Sequence, residues 1–194
     1  MKRTSLIRLG GLVAMVGGVL YATLGCVIFL RAPNLPKSIG FIQSALFILL
    51  LLGVMAAISA LHALQRQRHG WARTTVASLI AFIGTVLILV GGLGELLASS
   101  PADRTTEWYY MRGTFLLVGV LVATIGIIAL GIFTLEAGLL PWWCGVALIA
   151  GSPFIGFFLY LFELEGLVGA PWVVVGFAVF RAAGRRTERP PRVR

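Results

Sequence analysis

Six apolar runs, each long enough to cross a bilayer, constrain this chain more than any other feature. They cover Leu9–Leu30, Ile39–Leu64, Thr74–Leu97, Arg112–Leu135, Pro141–Leu161 and Leu164–Ala183. A helix needs about 20 apolar residues to span a hydrocarbon core about 30 Å thick. Only helices and closed barrels satisfy their backbone groups in lipid. Barrel strands alternate in hydrophobicity over about 10 residues, whereas these runs are longer and do not alternate. Charged residues make up 12% of the chain, against about 25% in soluble domains, too few to cover a soluble surface. The sequence therefore predicts an all-α, polytopic membrane bundle with six transmembrane helices. It forms one domain, residues 1–183, and residues 184–194 form a disordered, basic cytoplasmic tail.

Charge sets the orientation. With the N-terminus inside, twelve of the sixteen Lys and Arg residues fall on the cytoplasmic side, six of them from Arg181 onward. Only Arg31, Lys37, Arg104 and Arg112 fall outside. Basic residues collect on the cytoplasmic side of membrane helices, so both termini are expected there. Trp71, Trp142 and Trp143 then lie at the inner interface, and Trp108, Tyr109, Tyr110 and Tyr160 at the outer one. Indole and phenol rings favour that level because one edge is polar. The net charge of +9 sits at the ends of apolar runs, so it reports topology and not a nucleic-acid partner. The first run is too long for a signal-peptide core and lacks an Ala-x-Ala site after it, so it reads as a retained anchor. Cys26 and Cys144 fall near opposite faces and cannot pair.

The first run also carries a stripe of small residues, Gly10, Ala14, Gly18, Ala22 and Cys26. Residues four apart share a helix face, and a face without side chains lets a second backbone approach. A further set, Gly11, Gly18 and Gly25, crosses it. The pattern predicts that the first helix is the buried centre of the bundle, with Gly10, Ala14, Gly18 and Ala22 as its packing residues. Gly18–Gly25 also recurs as Gly119–Gly126, which would map the first helix onto the fourth in an inverted arrangement. Eight residues drawn from so small an alphabet recur readily by chance, and chance is the expectation.

Catalytic and cofactor chemistry have no visible carrier. There is no phosphate-binding loop, no H-E-x-x-H, no C-x-x-C and no nucleophile elbow. His62 and His69 are a solvated interfacial pair rather than metal or haem ligands. No cofactor or metal is expected, and nothing supports an enzyme. Two polar features remain. Glu95 lies inside an apolar run, where an ionisable group needs a partner, and Arg112 starts the next helix at the same level. Prolines also interrupt the last two runs, in Gly151-Ser152-Pro153 and Gly169-Ala170-Pro171. Each would free a carbonyl four residues back, at Ile149 and Leu167. Paired interruptions point to a transporter site, while two ordinary kinks are the plainer reading. Glu95, Arg112, Ser152, Pro153 and Pro171 are the expected lining of an outward pocket.

Leu140-Pro141-Trp142-Trp143-Cys144-Gly145, then Pro171-Trp172-Val173-Val174-Val175-Gly176-Phe177 and a basic terminus, resemble a broad group of small uncharacterised bacterial multi-pass membrane proteins. The resemblance implies an inner-membrane location and brings no activity, cofactor or catalytic residue. The functional expectation is an accessory protein that packs against partner helices, a second copy or lipid, with anionic headgroups at the arginine-rich tail. The alternative is a small transporter or binder of an apolar or weakly cationic molecule.

Overall fold

Apolar residues on every side of a helix leave no amphipathic face to a soluble core, and in this chain they build long helices that pack through small residues. The computed structural model describes residues 3–31, 38–66, 71–97, 107–153 and 165–187. Among these are α1 (Arg3–Arg31), α2 (Ser38–Gln65), α3 (Trp71–Leu97), α4 (Glu107–Ala137) and α5 (Trp142–Ala150). A 3-10 turn, Glu165–Val168, leads into α6 (Gly169–Thr187). The first four are each long and apolar enough to cross a membrane, and they present Leu79, Ile83, Leu117, Leu121 and Ile125 outward. The protein is a membrane-like, all-helical bundle.

Several boundaries differ from the sequence reading. Helix α4 ends at Gly138, whose φ of 55° is the left-handed stop that glycine adopts without strain. Pro141 caps α5 instead of opening it, and its carbonyl accepts the Cys144 N–H at 2.9 Å. Helix α6 continues through Gly184 to Thr187, into the stretch expected to be disordered. The linker prolines Pro33 and Pro36, most of the Ser99–Met111 linker, His69, Tyr160, Glu163 and residues 188–194 lie outside the described residues. So do the side chains of Cys26, Trp71, Glu95, Trp108, Tyr109 and Tyr110.

Each helix packs on the next, and α6 closes the ring onto α1. Helix α2 is the centre. It touches α1, α3, α4 and α6 and buries Leu50, Ile58, Leu61 and Leu64. This corrects the expected centrality of α1, which exposes Leu6, Leu9, Val16 and Leu20 along one side. Small residues mark where a membrane helix takes a neighbour, so two small faces give two neighbours and leave the bulky face outward. The stripe itself turns by about 40° every four residues, and its partner changes accordingly. A methyl group built on Gly10 would lie 2.7 Å from Ala56 O of α2, and the Ala14 Cα faces Gly53 of α2. Higher up, Gly18 and Ala22 face α6, where a methyl group on Gly18 would lie 2.7 Å from Gly169 O.

The α1–α6 and α3–α4 pairs make the same contacts. A methyl group on Gly18 would meet Gly169 O at 2.7 Å and Val173 N at 3.0 Å. One on Gly119 would meet Gly84 O at 2.9 Å and Ile88 N at 2.7 Å. Gly169 abuts Ala22, as Gly84 abuts Ala123. Gly176 abuts Gly11 and Met15, as Gly91 abuts Arg112 and Leu116. All these matches follow one shift from α1 to α4 and one from α3 to α6. Neighbouring helices run antiparallel, as Gly11 beside Gly176 and Gly18 beside Gly169 show for α1 and α6. Helices α1 and α3 therefore correspond to α4 and α6 upside down. The recurrence of Gly18–Gly25 at Gly119–Gly126 is a shared packing register, contrary to the chance reading. The alphabet is small because only small residues permit this backbone approach.

Candidate functional site

The end of α5 meets the start of α6. Ala150 is the last residue of α5, and Gly151 has φ −83°, which any residue adopts. Glycine stands there for room: a methyl group on it would lie 2.8 Å from Pro171 Cβ and 3.4 Å from Trp172 Nε1. The two interruptions found in the sequence are thus in contact. Gly169 then presses on Gly18 and Ala22, so three helices converge on this joint.

The carbonyls expected to be freed are accounted for differently. Ile149 O accepts the Ser152 N–H at 3.2 Å, and the Gly151 N–H reaches Ala147 O at 2.8 Å. Pro171 lies in the first turn of α6, where no intrahelical bond from its nitrogen is due. It starts a helix and does not kink one. Ser152 is 1% exposed, and its Oγ has no hydrogen-bond partner among the described residues. Trp172 is also buried, with its Nε1 3.4 Å from a methyl group built on the neighbouring Gly151.

The five expected pocket residues fall into two groups. Ser152, Pro153 and Pro171 belong to the α5–α6 joint, on the side of the bundle that packs on α1. Arg112 belongs to the α3–α4 pair, and its carbonyl lies 3.3 Å from a methyl group built on Gly91. Glu95 is one turn beyond Gly91 on α3, so its backbone is close in level to Arg112. Helix α6 closes onto α1, while α4 packs on α3, so among the described residues the two groups belong to different helix pairs.

A polar bridge escaped the sequence reading. Gln65 is 1% exposed and donates its Nε2–H to Thr134 Oγ1 at 2.6 Å. The Thr134 hydroxyl donates to Leu130 O at 2.7 Å. This ties the end of α2 to the end of α4. Gln65 read as the start of a linker, and Thr134 is one hydroxyl in an apolar run. The usable signal was that a polar residue in the last turn of a membrane helix seeks a partner helix. Among the described residues no three His, Cys, Asp or Glu side chains gather as a metal would require. No protein-family model, curated protein or solved structure matches this chain.

Proposed function

We propose that this is a six-span inner-membrane protein, a single domain with both termini in the cytoplasm, that acts as an accessory protein. It works through its outer surface, against partner helices or a second copy, and against anionic lipid at its arginine-rich tail. The observation that carries this reading is the closed α5–α6 joint. A translocation path needs room between the interrupted helices, and here Gly151 rests on Pro171 and Gly169 on Gly18. The basic-residue count supports the orientation, and the four long apolar helices support the membrane setting.

The transporter reading keeps one specific support. Inverted repeats with a helix interrupted near mid-length are the usual frame of a transporter site. Gly84 stands at the middle of α3, and its counterpart Gly169 is where α6 begins. Cysteine accessibility separates the two readings. In a Cys26→Ala/Cys144→Ala background, Ser152→Cys should stay unreactive towards an impermeant thiol reagent from either side. Labelling from both sides of reconstituted vesicles would replace the accessory reading with the transporter.

A further inference from the structure

A groove opens between the start of α1 and the end of α2, with a cavity volume of about 520 Å³. Leu6, Leu9 and Val13 form one wall, and Ala56, Ala60 and Ala63 the other. Gly10 forms part of the lining where the helices meet, and any side chain there would strike Ala56 O. From Ala56 to Arg66 the groove follows α2 for about 15 Å, and one leaflet of a core about 30 Å thick has that same depth. His62 and Arg66 stand at its far end. Arg66 is exposed. His62 Nδ1 is buried with no hydrogen-bond partner among the described residues.

The trough is apolar over one leaflet and cationic at one end. We propose that it holds one acyl chain of an anionic phospholipid from the cytoplasmic leaflet. The chain lies between Leu9 and Ala60, and the headgroup phosphate sits at Arg66, whose guanidinium can bond it through two N–H groups. His62 lines the same end of the groove. The site is built from α1 and α2 residues, and it rests on the proposed cytoplasmic placement of this end of the bundle.

The test is native mass spectrometry of the full chain released from nanodiscs of equal parts phosphatidylglycerol and phosphatidylcholine. One phosphatidylglycerol should remain bound in preference to phosphatidylcholine, and added inorganic phosphate should not displace it. Arg66→Gln should weaken retention about five-fold, as one juxtamembrane cation is worth about 1 kcal/mol. Ser59→Trp should abolish it by filling the mouth. Ser59 is exposed, and its hydroxyl bonds Met55 O of its own helix, so this change spares the fold. His62→Phe is the second variant should Ser59→Trp not fold. Equal retention of both lipids would overturn the proposal, as would wild-type retention in Arg66→Gln and in whichever groove variant folds. Retention is read without reference to transport, so a failed accessory reading and a failed lipid site give different results.

Discussion

Gly18→Ala tests a close backbone approach that can be compared across the repeat. The added methyl group would sit 2.7 Å from Gly169 O, 2.9 Å from Val173 Cγ2 and 3.0 Å from Val173 N. A close carbon–oxygen contact is about 3.3 Å, so the overlap with Gly169 O is about 0.6 Å. The Val173 methyl can rotate away. The two backbone atoms cannot, so α1 and α6 must separate over their whole crossing. Overpacking of this kind costs about 1–3 kcal/mol. Replacing a helical glycine by alanine also gains about 0.5–1 kcal/mol, so a reference is needed. Gly113→Ala provides it, because nothing lies within 4 Å of a methyl group there. The difference between the two variants isolates the overlap. It should be about 1–3 kcal/mol, read from reversible unfolding in mixed detergent followed by circular dichroism. Gly119→Ala, with Ile88 N at 2.7 Å and Gly84 O at 2.9 Å, should behave like Gly18→Ala. Equal stability of Gly18→Ala and Gly113→Ala would refute the packing argument. A silent Gly119→Ala beside a costly Gly18→Ala would refute the equivalence of the two halves.

Thr134→Val should cost about 1–3 kcal/mol by leaving the buried Gln65 amide without its acceptor, and Gln65→Met in the same chain should recover much of it. A double-mutant cycle on unfolding free energies that shows no coupling would remove the α2–α4 bridge. Ser100→Cys should react with an impermeant reagent in intact cells, and labelling only after lysis would invert the proposed topology. If Glu95 pairs with Arg112, Glu95→Gln should destabilise by about 1–3 kcal/mol, and adding Arg112→Gln should return part of that loss. Additive effects of the two changes would dissolve the pair.

What the sequence shows well is whatever depends on side-chain class along one helix. Apolar length fixes where helices can run, and the small-residue stripe of α1 marks faces with close neighbours. What it hides is which helix supplies the neighbour. Gly10 and Gly18 belong to one stripe, yet Gly10 meets α2 and Gly18 meets α6, because the stripe winds around the axis. The centre was misplaced for a related reason. Helix α2 has large residues such as Ile58 and Leu61 at its buried positions, and in a membrane protein a buried leucine and a lipid-facing one look alike in sequence. The joint was half legible: Gly and Pro marked both interruptions, but contact between them depends on α6 returning to α1. Gln65 and Thr134 are far apart in the chain, and no local pattern links them.

The repeat explains why the joint lies in one half only. Helix α3 passes through Gly84 without interruption, and the residue two further on is Val86. In α6 the residue two beyond the matching Gly169 is Pro171. Val86 can donate an N–H back along its helix, whereas Pro171 has none, and its ring would clash with the carbonyl four residues back if the helix continued. The chain before Gly169 accordingly leaves the α-helix for the 3-10 turn Glu165–Val168. The same ring then fills the space in front of residue 151, where its Cβ lies 2.8 Å from any methyl group. Only glycine fits there without displacement. Two interruptions that read as separate events in the sequence therefore meet at one ring, the pyrrolidine of Pro171, placed in a packing register that the α3–α4 pair uses unbroken.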